Sequence, residues 1–285
     1  MPKIALPNKG RLSEEVRALL RDAGLDVRLH DERSLVAELG EEFSAIFVRA
    51  QDIPEFVADG AADAGITGRD CVAETGSPLE ERLDLGLGRC RLAIAGPARL
   101  GATVADLPEG LRVATSFPSL TSAFFAKAAK RVEIVRVSGA AEVTPHLGVA
   151  DAIVDLVSTG STLRVNGLRE IATILHSSAV LVARPTAQLA PEIDRALGEL
   201  SMALGSVLRA RGKRYLMANV PRVALASVRD ILPGLNGPTI VDGNGGDYVA
   251  VHAVVDAGAV YRTTVRLKAV GCEGILVTRI ERMVP

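Results

Sequence analysis

The stretch richest in chemical content is Asp151-Ala-Ile-Val-Asp-Leu-Val-Ser-Thr-Gly-Ser-Thr-Leu163, a hydrophobic strand flanked by acids that empties into hydroxyls around one glycine. Successive backbone N–H groups over Ser158, Thr159, Gly160, Ser161 and Thr162, together with the hydroxyls at the start of a helix, make a cradle for a phosphate. Gly160 lets the backbone come close to the anion. Residues four apart on a strand share a face, so Asp151 and Asp155 point the same way, with Asp155 nearer the cradle. A carboxylate there accepts hydrogen bonds from a sugar diol while the loop holds the phosphate, the layout that a ribose 5-phosphate requires. Taken alone, the same residues serve equally well as a helix cap beside two solvated aspartates.

A second group lies in Pro7-Asn-Lys-Gly-Arg11. Lys9 and Arg11 leave the end of a strand, where open α/β sheets put their ligands, and two cations there suit a pyrophosphate or a triphosphate. An ordinary basic turn accounts for them as well. Arg49 closes the next strand, and Arg69-Asp70 follow Gly65-Ile-Thr-Gly68; both are expected to face the same cleft, although adjacent Arg and Asp more often form a structural pair. Glu142 sits on a loop that approaches the ribose, or else in the first turn of a helix. His30, His146, His176 and His252 share no ligand spacing, and no Ser-His-Asp or Cys-His set emerges. A nucleophilic triad is not expected.

The elements that must position these groups alternate between strand and helix. Lys3 to Leu6 is a strand, Ser13 is expected to cap a helix over 14–23, Phe43 to Arg49 is a strand, and Asp52 caps a helix over 53–58. A buried strand at 64–66 feeds a turn at 67–70. The same pattern restarts near Arg91, with strands at 92–95, 112–115, 133–137 and 152–157 and a helix from 119 or 120 to about 131. It predicts α/β lobes with a largely parallel sheet. A strand at 179–183 and a helix from Pro191 to about Arg211 pack back on the first lobe if the chain crosses twice. The lobes are then 1–90 with 181–211 and, between them, 91–180. Residues 212–285 read as strand, helix, strand, strand, helix, strand, the βαββαβ order of ferredoxin-like modules.

Composition narrows the function classes. The chain has 285 residues, which favours more than one domain, and 33 basic against 34 acidic residues leave no broad positive field for nucleic acid or anionic membrane. Aromatic residues are 3% of the chain, too few for a stacking platform. Cys71, Cys90 and Cys272 are odd in number and far apart, which indicates neither a disulfide framework nor a zinc site. With no apolar export segment and no long apolar run, a cytoplasmic protein is expected.

Taken together, Leu6-Pro-Asn-Lys-Gly-Arg-Leu12, Asp63-Ala-Gly-Ile-Thr-Gly-Arg-Asp70, Leu147-Gly-Val-Ala-Asp-Ala-Ile-Val-Asp155 with Ser158-Thr-Gly-Ser-Thr-Leu163, and Tyr215-Leu-Met-Ala-Asn219 with Pro233-Gly-Leu-Asn-Gly-Pro-Thr-Ile240 resemble the long-form ATP phosphoribosyltransferases of histidine biosynthesis. The resemblance covers essentially the whole chain. It implies a two-lobed catalytic unit like type II periplasmic binding proteins, followed by a ferredoxin-like domain that senses histidine. It also implies condensation of ATP with phosphoribosyl pyrophosphate, assisted by Mg2+, in a homodimer that assembles to a homohexamer. By carry-over, residues 158–162 hold the 5-phosphate, Asp155 the ribose hydroxyls with help from Glu142, and Lys9, Arg11 and Arg49 the charge of ATP or pyrophosphate. No protein ligand to the metal is named, with Asp155 the one candidate. Histidine maps onto Asn219, Leu235 and Thr239. A solute-binding module shares the two-lobed layout but gives no reason for the cradle or for an added domain.

Overall fold

The computed structural model describes residues 1–29, 34–232, 234, 237–242 and 246–284. They fall into two compact units, Met1–Ser201 and Met202–Pro285.

In the first unit the order is β1 (Lys3–Pro7), α1 (Gly10–Asp22), β2 (Val27–Leu29), β3 (Val36–Leu39), β4 (Phe43–Val48), α2 (Ile53–Ala58), β5 (Ala64–Gly68), α3 (Arg69–Thr75) and β6 (Glu80–Asp84). The chain continues through β7 (Cys90–Pro97), β8 (Leu111–Thr115), α4 (Pro118–Lys127), β9 (Val132–Arg136), β10 (Ala152–Val157), α5 (Ser161–Val165), β11 (Leu168–Ser177) and β12 (Ala179–Ala183). Helix α6 (Pro191–Ala210) starts in this unit and ends in the next. The periodicities follow the apolar residues. Val16, Leu19 and Leu20 give α1 one buried stripe, and Phe43, Ala45 and Phe47 alternate inward along β4.

Two sheets result, with orders β2-β3-β4-β1-β5-β12-β6 and β11-β7-β10-β8-β9. Stripped of the β2–β3 edge hairpin, each sheet has the same plan: its second, first and third strands run parallel, then come an antiparallel strand and a fourth. The antiparallel strand is in each case contributed by the crossing chain, β7 arriving from the first sheet and β12 returning from the second. This double crossing makes the two-lobed, type II periplasmic-binding-protein-like layout. It also corrects the expectation of largely parallel sheets, because a strand entering after a crossing comes from the opposite side.

The crossings are fastened by polar side chains. Asp84 accepts hydrogen bonds from the Ser178 hydroxyl at 2.7 Å and the Gly86 amide at 2.8 Å, and pairs with Arg69 at 3.2 Å. Burial opposes its ionisation, yet these partners hold the carboxyl below its usual range. Arg69 also grips Glu81 through two nitrogens, at 2.9 and 2.7 Å. Its neighbour Asp70 is buried, accepts the Ser177 hydroxyl and donates its amide to the same oxygen at 3.0 Å. The expected turn at 67–70 is therefore the end of β5 and the start of α3, and Arg69 and Asp70 serve the crossings. Burial, with the Asp70 charge adding, pushes the Cys71 thiol up to about 12.

Other local expectations shift for identifiable reasons. Helix α1 begins at Gly10, so Ser13 lies buried inside it and Lys9 takes the cap position. Asp52 stands at the cap of α2 without a side-chain hydrogen bond to it. Helix α4 ends at Lys127, before Ala129 turns to a φ of 52°. Its N-terminal amides are capped from another element: the Glu74 carboxylate of α3 accepts Ser119 N–H at 2.7 Å and Leu120 N–H at 2.9 Å. Strands β2, β3, β6 and β11 are additions to the sequence reading.

The second unit comprises β13 (Lys213–Pro221), α7 (Leu225–Ile231), β14 (Thr239–Val241), β15 (Tyr248–Asp256), α8 (Val260–Ala269) and β16 (Glu273–Arg279). All pairs in its sheet, order β14-β15-β13-β16, are antiparallel, which is the ferredoxin-like arrangement. Leu216, Ala218 and Val220 meet Val249, Val251, Val228 and Leu267 in its core.

Glu74 accepts from two orphan amides of α4, so Glu74→Ala is expected to cost about 1–2 kcal/mol of stability. Glu74→Gln, which keeps an acceptor, should lose less. Thermal melts of both full-length variants check this, and an Ala variant melting with the unaltered chain would refute the cap.

Candidate active site

Strand β10 runs between β7 and β8, and its first residues Ala152, Ile153 and Val154 are fully buried. The chain leaves it at Val157, turns through 158–160 and enters α5. A cavity of about 250 Å³ opens there, lined by Glu142, Asp155 and the whole turn from Ser158 to Thr162. Five of the expected phosphate residues and both nearer acids thus share one concavity.

Gly160 has φ +73°. A Cβ built on it would meet other atoms no closer than 3.6 Å, so left-handed backbone rather than lack of room is what calls for glycine. The Thr159 and Ser161 hydroxyls lie 3.0 Å apart. Arg91 Nη1 donates to the Ser158 carbonyl at 3.1 Å and Arg164 Nη1 to the Thr159 carbonyl at 3.3 Å, and neither arginine is among the residues that line the cavity. Arg91 also binds Glu170 through Nε and Nη2, with a shortest distance of 2.6 Å, and holds that carboxyl below its ordinary range.

Asp155 is half-buried, and the Leu156 N–H donates to its Oδ1 at 2.7 Å. Burial raises its pKa and the negative Glu142 adds to the rise, while the Leu156 amide opposes it. Glu142 itself sits on a short 3-10 turn, Ala141–Val143, entered through Ala140 at φ 51°. Asp151 is not brought to the cradle. It precedes β10, about 13 Å of extended chain from Asp155, and is held by Arg112: the Arg112 amide donates at 3.1 Å and Nη2 at 2.9 Å. That pairing lowers its pKa.

Lys9, Arg11 and Arg49 stand at the ends of β1 and β4, which are parallel neighbours with Pro7 opposite Val48. All three are exposed. Arg11 Nε binds Glu15 at 2.6 Å, one helical turn on, which offsets its charge; Lys9 and Arg49 have no acidic partner among the described residues. In the second unit Asn219 faces Ala250 and Thr239 faces His252 across β15, two residues apart and hence on one face of the sheet. Leu235 lies outside the described residues. Arg91, Arg164, Glu170 and Arg112 escaped the sequence reading; the pairing that sets Arg91 opposite Val157 is long-range, and no local pattern announces it.

Among the described residues no group of three or more His, Cys, Asp and Glu side chains could hold a metal, and no helix is long and apolar enough to cross a membrane. The two carboxylates on the cavity, Asp155 and Glu142, fit an ion whose other ligands come from substrate phosphates and water.

A family model described as ATP phosphoribosyltransferase matches residues 49–203, and the model of the HisG C-terminal domain matches residues 210–282. The chain belongs to the ATP phosphoribosyltransferase family. It is 59% identical over 294 residues to the ATP phosphoribosyltransferase of Gemmatimonas aurantiaca, the match spanning 100% of both chains. It is 48% identical to that of Natronomonas pharaonis, over 99% of this chain and 100% of the relative. The solved ATP phosphoribosyl transferase (HisG:HisZ) complex from Thermotoga maritima matches at 30% identity with a TM-score of 0.64, covering 73% of this chain and 99% of that one. Family membership makes the chain a pentosyltransferase of histidine biosynthesis.

The raised pKa of Asp155 carries a sign for stability. A carboxyl whose folded value lies above its unfolded value is penalised when ionised, so the cost is complete above the folded pKa and vanishes as pH falls to the ordinary value of about 4. Asp155→Asn should therefore melt above the unaltered chain at pH 8, and its advantage should shrink on acidification. A lower melting temperature for Asp155→Asn at pH 8 would contradict the burial assigned to this group.

Proposed function

We propose that the chain condenses ATP with phosphoribosyl pyrophosphate to give phosphoribosyl-ATP and pyrophosphate, with the cavity at the end of β10 holding the ribosyl donor. The observation that carries this is the joining of a left-handed glycine turn and two carboxylates in one cavity of a chain from this family. Ser158 to Thr162 take the 5-phosphate through backbone N–H groups and hydroxyls. Asp155, with Glu142, accepts the ribose hydroxyls and faces the positive charge that develops at C1. Adenine N1 forms its bond to C1 as the C1–oxygen bond breaks, and the electron pair leaves with pyrophosphate. No protein nucleophile is required, so positioning and charge do the catalytic work.

Lys9 and Arg49 take up the charge of ATP or of the departing pyrophosphate, with Arg11 more weakly placed because Glu15 already holds it. Asp155 would be the protein ligand to a divalent cation, which we assign as Mg2+; held mainly by the pyrophosphate, such an ion would neutralise its charge. We divide the chain into 1–90 with 181–211, 91–180, and 212–285; the two sheets and the ferredoxin-like unit support this division, with β7 and β12 as the crossing strands at its joints. Histidine as feedback inhibitor is assigned to Asn219 and Thr239, which share one face of the sheet, and to Leu235. A cytoplasmic homodimer assembling to a homohexamer completes the proposal; the three unpaired thiols suit a reducing compartment.

Mixing the full chain with ATP, phosphoribosyl pyrophosphate and Mg2+ should yield an adduct followed by absorbance, slowed by added histidine. Asp155→Ala should lower kcat/KM by about 100-fold or more, the scale of a lost charge-stabilising group. Unaltered kinetics in that variant would remove Asp155 from the mechanism. Thr239→Ala should keep the basal rate and raise the histidine concentration for half-inhibition about tenfold, a loss of about 1.4 kcal/mol; unaltered inhibition would move the sensor elsewhere.

A further inference from the structure

Two arginines behind the cradle have no part in the chemistry above. Arg91 lies on β7 directly opposite Val157, the last residue of the cradle strand, and Arg164 lies on α5, one turn beyond Gly160. Each donates a hydrogen bond to one of two consecutive turn carbonyls, those of Ser158 and Thr159. No cis peptide occurs among the described residues. In a planar trans peptide the C=O of one residue and the N–H of the next point in opposite directions. Neither arginine is among the residues that line the cavity, so a carbonyl held by one of them turns the following amide the opposite way: the Ser158 carbonyl fixes the Thr159 N–H, and the Thr159 carbonyl fixes the Gly160 N–H.

We propose that Arg91 and Arg164 are positioning residues that set the direction of the Thr159 and Gly160 amides for the 5-phosphate, acting through the turn's carbonyls without touching the reacting atoms. This rests on the reading of residues 158–162 as the phosphate site. Arg91 is the stiffer of the two. Its Nε and Nη2 are both committed to Glu170, and Glu170 is in turn held by the Thr173 hydroxyl at 2.9 Å. Only Nη1 is left for Ser158, so the guanidinium is locked in plane and its charge is offset by a carboxylate. Its effect on an anion is directional rather than Coulombic. Arg164 has no acidic partner among the described residues, so it adds charge as well as direction. Arg91 and Glu170 are for that reason the clean test.

Arg91→Lys keeps the charge but cannot bind a carboxylate by two nitrogens and a carbonyl by a third. Glu170→Gln keeps the shape but releases Arg91. In the full-length enzyme each should raise the KM for phosphoribosyl pyrophosphate about tenfold, with kcat and the KM for ATP within about twofold, as expected for loss of binding shared by ground and transition states. Combining them should be no worse than the poorer single variant, because both break one unit. Ribose 5-phosphate and pyrophosphate, used as competitive inhibitors, separate positioning from general damage. The inhibition constant of ribose 5-phosphate should rise about tenfold, while that of pyrophosphate should not change. Equal losses for both inhibitors, fully additive variants, or an unaltered KM for the donor would each overturn the proposal. Should one variant fail to fold, the other carries the same test. An unaltered chain that turns over but is not inhibited by ribose 5-phosphate would instead remove the phosphate reading on which the proposal stands.

Discussion

A backbone turn holds a phosphate only if its amides are kept from finding acceptors within the protein, and proteins rarely leave such groups unpaired. At Thr159 and Gly160 the turn after β10 meets this demand by geometry, while the Ser161 amide donates to the Thr159 hydroxyl at 3.4 Å. Gly160 takes a left-handed conformation that side-chain-bearing residues resist, and the carbonyls of Ser158 and Thr159 are occupied by arginines on the far side. Among the described residues no protein acceptor meets the Thr159 or Gly160 amides. Everything else assigned to the site depends on this: Asp155 has a ribose to bind only if the phosphate is fixed beside it, and its ionisation against burial is a cost worth bearing only there.

The fold supplies the rigidity. Because β7 and β12 are exchanged between the sheets, β10 is flanked by β7 on one side and β8 on the other, and its end cannot drift without disturbing a crossing. The third strand of each sheet ends in a helix start, β5 leading to α3 and β10 to α5, yet the two starts have diverged in use. Arg69 and Asp70 at the first bind Ser178, Ser177, Glu81 and Asp84 and fasten the crossings. Ser158 to Thr162 at the second remain open to a ligand.

The hydroxyl-and-glycine turn, its neighbour Asp155 and the βαββαβ unit were legible because their signals are local: strand, hydroxyl run and glycine are adjacent, and buried residues alternate over 216–220 of β13 and 249–253 of β15. What escaped was long-range. The cap of α4 comes from Glu74, 45 residues earlier, and the partner of Asp151 is Arg112, 39 residues earlier. Strand β11 was missed because register shifts after Glu170 and after Thr173 break its alternation. Arg69-Asp70 misled for a related reason: spacing shows that two charged residues sit at a strand end, not that the returning chain will bind them.

Whether the amides of this one turn receive a sugar phosphate is decided by backbone NMR of the full chain titrated with ribose 5-phosphate. The amide resonances of Ser158 to Thr162 should move most and saturate together, with those of Thr159 and Gly160 shifting as hydrogen-bonded donors do. Shifts confined to the ends of β1 and β4, with residues 158–162 unmoved at saturation, would contradict this reading of the turn.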